Sequence, residues 1–497
     1  MKSVKNLIVP FIILIALVIG VVIYYVVNNA QNNAVSETSG GAIEIVYFSP
    51  SNVSSLTVYN NETSNNAIVK CSMISDGSLK FEYAGDDASS GEKYSQNSLY
   101  EFVEILSAFS STAKVSSAGN YAEYGLDNPR YTITINSVSG TATTVYLGNK
   151  SPDGRFCYMY VSGSNDIYAV NVTKLEMAGR SAIDFLESTA LDISFDELKS
   201  VHFDRTTDKL TLDADVVLDA SGNPSLRIVK PYTHDASSYF YELVNDIAKL
   251  QITDYLALSK SELAEYGLDK PAYHFILTLN NGEKKELHIS SNINGYYYGY
   301  MNGMSNYFML TESQIDGLDL QELVLIYPYV FSCKPSDYTS IIGTYGDKSF
   351  KFELSVDEGK SVSDSSSEIT LDGRNAKIND SKGRSYCSVL FESISGIKIG
   401  GIELKDNVNT AGGAVMSFSF IDKSYNTTVY EFYQRDADTY YAFKDGEYLG
   451  FYVYGKELFY NAGTDTYNYG CWSAYELLSE AISNNINGIY DIQEKTE

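Results

Sequence analysis

Residues 264–271 read AEYGLDKP and residues 122–129 read AEYGLDNP, identical at seven of eight positions and 142 residues apart. The longer stretch around the second copy, LSKSELAEYGLDKPAYHF, reads as a helix stop joined to a strand start. Ser259 with Glu262 fits an S-x-x-E capping box, so Leu263 to Tyr266 can form one helical turn. Gly267 then stands where a left-handed residue closes the turn, a conformation glycine adopts at little cost. Leu268 takes the next position, whose apolar side chain folds back on the turn. Pro271 forbids further helix and drives Lys270 towards extended backbone. The first copy repeats this with Asn120, Gly125, Leu126 and Pro129. Tyr124, Gly125, Leu126, Asp127 and Pro129, and again Tyr266, Gly267, Leu268, Asp269 and Pro271, are therefore read as a structural turn motif. Asp127 and Asp269 are expected to accept backbone N–H groups in the turn. They are the only members of the motif left open to metal or catalytic roles.

Working outward, each copy follows an amphipathic helix. Leu99, Phe102, Val103, Leu106 and Phe109 form one apolar face, and Phe240, Leu243, Val244, Ile247 and Leu250 repeat the spacing. Cys387, Leu390, Phe391, Ile394 and Ile397 give a third set. Short alternating strand segments flank every helix, with hairpin turns expected at NNG (280–282) and KDG (444–446). These patterns predict an α+β fold of three tandem repeated units. Each unit would hold short strands, one amphipathic helix and an antiparallel β-meander. The expected limits are 43–190, 191–330 and a degenerate third unit at 331–485, with a C-terminal tail over 486–497.

The stretch LIVPFIILIALVIGVVIYYVV, residues 7–27, carries no charge over 21 residues. At about 1.5 Å per residue it matches a hydrocarbon layer of about 30 Å. Residues 1–30 are thus expected to form a cytoplasmic tip and a single transmembrane anchor, and 31–42 a polar linker. Lys2 and Lys5 precede the stretch, and the next basic residue is Lys70. The positive-inside rule then predicts a single-pass protein of the cell membrane with the bulk of the chain extracytoplasmic.

The formal charge of −27, from 36 basic and 63 acidic residues, repels phosphate backbones and argues against nucleic-acid partners. Five widely spaced cysteines form no C-x-x-C pair, so the local zinc and thiol-redox spacings are absent. No nucleophile elbow, phosphate loop, dinucleotide fingerprint or H-E-x-x-H occurs. The four histidines are His202, His234, His274 and His288. His274 and His288 can face one another across a hairpin, but the sequence offers them no evident third ligand. Neither a metal nor a cofactor is expected. Acid pairs such as Asp86/Asp87, Asp213/Asp215 and Asp436/Asp438 leave an acid-pair hydrolase as a weaker alternative. Tyrosine-rich strands nominate Tyr296, Tyr298, Tyr441 and Tyr452 for contact with a glycan or protein partner.

With its apolar N-terminus, repeated YGLD.P turns and strand-rich stretches such as TTVYLGNK, the chain resembles the bacterial proteins grouped as domain of unknown function 4340. The resemblance spans roughly residues 45–330 and is strongest at 122–148 and 264–289. Residues 408–418, VNTAGGAVMSF, stand where the third unit would carry the capped turn. Members often accompany gliding-motility-type ABC transport systems, so the resemblance implies an envelope accessory role. It brings no established activity or catalytic residues. The expected function is a membrane-anchored, extracytoplasmic scaffold or interaction protein, accessory to an ABC transport system. The alternative is a surface binding protein that recognises glycan or another ligand through tyrosine-rich sheet faces. No enzymatic activity is expected.

Overall fold

The computed structural model describes residues 42–492, apart from 90–91, 113, 117–119, 220–221 and 461–468. These residues form four antiparallel sheets of two, eight, nine and nine strands. The chain divides into two compact units, Met1–Glu187 and Ser188–Glu497. This corrects the expected α+β plan of a transmembrane helix and three tandem units. The strands before and after each helix do not make separate layers; they join edge to edge in one large sheet, and sheet dominates. The segment expected to cross a membrane, 7–27, lies outside the described residues. Among the described residues no helix is long and apolar enough to cross a membrane. The single-pass membrane placement is therefore corrected as well.

The joining strand pairs explain the sheets. In the second unit, Leu198–Arg205 pairs with Tyr273–Leu279, with Phe203 opposite Phe275 and Asp204 opposite His274. Hairpins then extend the sheet outward on both sides. The equivalent central pairs are Val53–Asn60 with Tyr131–Ser137 in the first unit and Tyr338–Tyr345 with Met416–Asp422 in the last sheet. Alternation along each strand sends every second side chain inward. Tyr131, Ile133 and Ile135 are buried on one such strand, and Tyr273, Phe275 and Leu277 on another.

One helix covers each inner face. Gln96–Leu106, Ser238–Ala248 and Tyr386–Ser395 all start on a serine whose hydroxyl accepts a backbone N–H of the first turn. Such a cap satisfies one of the four orphan N–H donors at a helix start and contributes about 1 kcal/mol. Phe240, Leu243, Val244 and Ile247 share one core with Phe203, Phe275 and Leu287. A further helix, Cys471–Asn484, packs into the core of the last sheet; the strand-based reading did not anticipate it. The hairpin at 444–446 has positive φ at Asp445 (50°) and Gly446 (81°), the backbone of a tight two-residue turn.

Candidate functional site

The outer face of the middle sheet collects three of the four histidines. His202 and Asp204 are two residues apart on Leu198–Arg205, so both point away from the core. His274 stands opposite Asp204, His288 opposite His274, and Tyr300 opposite His288. The neighbouring row brings Asp213 opposite His202 and Glu286 opposite Ile276.

The side chains in these rows interact closely. His202 is held through both ring nitrogens, with Nδ1 2.6 Å from Asp213 Oδ1 and Nε2 2.7 Å from Asp204 Oδ2. Thr211 Oγ1 donates to Asp204 Oδ1 at 2.6 Å, and Lys230 Nζ lies 3.3 Å from Asp213 Oδ2. His274 directs Nε2 at Glu286 Oε1 (3.0 Å) and Nδ1 towards Asp204 Oδ2 (3.6 Å). His288 Nε2 approaches the same Glu286 oxygen at 3.4 Å. Asn302 Nδ2 donates to the other oxygen of Glu286. The His274 and His288 rings stack at 4.4 Å and 7°, and Tyr300 continues the stack on His288 at 4.6 Å. His202, Asp204 and His274 form one group of convergent donors, and His274, Glu286 and His288 another; within each, the donor atoms lie within 4.8 Å of one another.

Electrostatics separate these groups. Burial alone would lower the His202 pKa, but its hydrogen bonds to Asp213 and Asp204 outweigh burial and hold it above the usual histidine value. Burial, helped by His274, pushes His288 below that value. Burial raises Asp204, Asp213 and Glu286, yet hydrogen bonds led by Thr211 for Asp204, His202 for Asp213 and His274 for Glu286 bring all three below the ordinary carboxylate range.

The residues singled out from sequence lie elsewhere. Gly125 and Gly267 are left-handed, at φ 67° and 64°. Leu126 N–H donates to Tyr121 C=O at 2.8 Å, and Leu268 N–H to Leu263 C=O at 2.8 Å. Both leucines are buried. Glu262 accepts from both the N–H and the hydroxyl of Ser259, so the serine hydroxyl donates to Glu262 instead of accepting from the backbone. Asp127 and Asp269 are exposed, and Asp127 accepts the N–H of Asn128. The chain turns between Asp127 and Pro129, whose carbonyl accepts from the Asn61 side chain. Pro271 leads into Tyr273–Leu279. Tyr124 packs edge-on against Tyr158, and Tyr266 against Tyr298. Tyr298 is therefore engaged within the chain, while Tyr296 on the same strand is 40% exposed. Tyr441 and Tyr452 oppose each other in the last sheet. Tyr441 accepts from Lys405 Nζ at 2.6 Å, and the Arg435 guanidinium lies 4.3 Å over Tyr452.

The five cysteines are free, and burial drives their thiols up: Cys71 to about 11, Cys157 and Cys333 to about 12, and Cys387 and Cys471 upward too. The acid pairs serve as acceptors. Asp86 takes the N–H of Asn66, Asp87 the hydroxyl of Tyr83, and Asp436 the Arg435 guanidinium. Sequence reasoning found the His274/His288 pair, and named His202 and Asp213 separately, but missed Glu286 and Asp204 and did not bring these groups onto one face. The available signal was H-x-D at 202–204 and E-x-H at 286–288, each spaced to share a strand face.

Residues 90–271 match the model of a family described as a domain of unknown function (DUF4340). A comparison with curated proteins gives no match.

Proposed function

We propose a binding role for this chain, which belongs to the DUF4340 family through residues 90–271: it is a non-catalytic binding protein, and its recognition element is the outer face of the middle sheet. The observation that carries this reading is a comparison of equivalent rows across the three large sheets. Counted from the same end of the central strand pair, the row Asp204–His274–His288–Tyr300 corresponds to Tyr59–Thr132–Tyr146–Tyr160 in the first unit. In the last sheet it corresponds to Thr344–Ser417–Glu431–Phe443. The next row, His202–Ile276–Glu286, corresponds to Thr57–Thr134–Thr144 and to Ile342–Ser419–Val429. A side chain needed only to build the sheet would recur in kind. The histidine–carboxylate set belongs to the middle sheet alone.

The ionisation of the groups supports binding over catalysis. A general acid at neutral pH needs a raised carboxyl pKa, whereas Asp204, Asp213 and Glu286 are all lowered. Glu322, which burial does raise, lies outside this face and accepts the Tyr232 hydroxyl at 2.7 Å. The buried thiols stay protonated, so none is primed as a nucleophile.

The test is an affinity capture from native extract using the full chain and a His274→Ala/Glu286→Gln/His288→Ala variant. Circular dichroism establishes that both are folded. The variant is expected to lose the partners that the wild type retains. An identical set of retained partners would refute the reading.

A further inference from the structure

We infer that the outer face of the middle sheet is a binding site for one late first-row divalent metal ion, of which zinc is the probe, held by His274 Nε2, Glu286 Oε1 and His288 Nε2. The inference rests on the binding reading above and names the ligand of that face. Around tetrahedral zinc, bonded at about 2.0–2.2 Å, neighbouring ligand atoms lie about 3.3 Å apart. The separations from Glu286 Oε1 to the two histidine nitrogens are 3.0 and 3.4 Å. A hydrogen bond joins His274 Nε2 and Glu286 Oε1 at 3.0 Å. His288 Nε2 converges on the same oxygen at 3.4 Å while its ring lies parallel to that of His274, so three donor atoms meet at one point.

The surroundings are those of a supported ligand set. Asp204 lies 3.6 Å from His274 Nδ1, on the far side of the ring from Glu286, where a carboxylate orients a metal-bound imidazole. Thr211 holds Asp204, and Asn302 holds the free oxygen of Glu286. Tyr300 closes the stack on His288. The other convergent group, His202–Asp204–His274, is the poorer seat. Both His202 nitrogens are already committed to carboxylates at 2.6 and 2.7 Å, and His274 Nδ1 lies 3.6 Å from Asp204 Oδ2. Two imidazoles and one carboxylate suit zinc, nickel, cobalt or copper, whereas magnesium and calcium prefer oxygen. The three ligands are 19–34% exposed, so the remaining coordination position opens to solvent, where water or a partner's donor group completes the ion.

The experiment is calorimetric titration of the full metal-free chain with zinc chloride, and separately with magnesium and calcium chloride. One zinc per chain is expected, with magnesium and calcium at least about 100-fold weaker. His274→Ala, His288→Ala and Glu286→Gln should each weaken zinc by about 10-fold or more, and His202→Asn by less than about 3-fold. Thermal melts report folding, and His288→Gln replaces any alanine variant that fails to fold. Absence of zinc uptake overturns the inference, as does zinc binding that survives His288→Ala but is lost in His202→Asn. If zinc does not bind, yet the triple variant still loses its partners, the metal assignment fails and the binding reading stands. If zinc binds and the triple variant captures the wild-type partners, the metal site stands and the binding reading falls.

Discussion

Replacing Gly267 by alanine isolates the turn-closing role of the YGLD.P motif. Gly267 has φ 64°, and an alanine there costs about 1–2 kcal/mol in left-handed geometry. The added methyl carbon would sit 3.2 Å from Ser290 Cβ and 3.6 Å from Ile293 Cδ1, so Ser290 must give by a few tenths of an ångström. Alanine also restricts the unfolded chain, which returns about 0.4–1 kcal/mol. The net loss is about 1 kcal/mol, or about 1–2 °C in Tm for a unit as long as Ser188–Glu497. Gly125→Ala has the same backbone cost, at φ 67°, and its methyl would come within 2.6 Å of the Asn149 side chain. Asn149 is exposed and can rotate away, so its loss should be similar or slightly larger. Differential scanning calorimetry and urea titration at fixed m-value read both. Gly140→Ala, at φ 87° with open space around it, measures the backbone cost by itself. An unchanged Tm in both Gly125→Ala and Gly267→Ala would refute the capped-turn account.

Three further outcomes follow from the same geometry. Asp269→Asn, at an exposed turn position, should alter stability by less than about 0.5 kcal/mol in the same melts; a larger loss would give that carboxylate a role beyond the turn. Arg205 is buried, donates to Asp208 at 2.9 and 2.7 Å and to the carbonyls of Leu318 and Leu320 at 2.7 Å each. Arg205→Met should therefore cost about 3 kcal/mol in urea unfolding, and a loss below about 1 kcal/mol would contradict the burial argument. Burial lowers the His234 pKa, although its Nε2 donates to the Tyr327 carbonyl at 2.9 Å. A depressed histidine leaves the folded state fully stabilised above the unfolded value of about 6.5, and the contribution is lost as pH falls below it. His288 has the same sign and His202 the opposite, so the diagnostic quantity is the wild-type stability minus that of His234→Phe. That difference should shrink as pH falls from about 6.5 to 5, and a flat difference would refute the assignment.

What could be read from the sequence was local. Glycine, leucine and proline at 267, 268 and 271 dictate a closed turn and a strand start through backbone geometry, although residues 260–267 form turn and not the expected helix. The apolar faces that start at Leu99, Phe240 and Cys387 mark three helices through a 3.6-residue period; their capping serines, Ser95, Ser237 and Ser385, were not singled out. The large sheets were not legible in the same way. The pairing of Leu198–Arg205 with Tyr273–Leu279 spans some 70 residues, and no local pattern states that register. The candidate site failed for the same reason. His274 and His288 are one hairpin apart and were seen as a pair. Asp204 comes from a strand on the far side of the intervening helix and was not. Glu286 was within reach, because E-x-H on a strand places both side chains on one face. Tyr441 and Tyr452, nominated from tyrosine composition for an external ligand, have neighbours that composition could not show: Lys405 and Arg435 of the same chain contact those rings.

The central claim is that the middle sheet's outer face binds through a metal held by His274, Glu286 and His288. Anomalous diffraction at the zinc edge, on crystals of the full chain loaded with one equivalent of zinc, tests it most directly. The account predicts one strong peak about 2.0–2.2 Å from His274 Nε2, His288 Nε2 and a Glu286 oxygen, with Asp204 behind the His274 ring. A peak between His202 and Asp213, or none on this face, would contradict it.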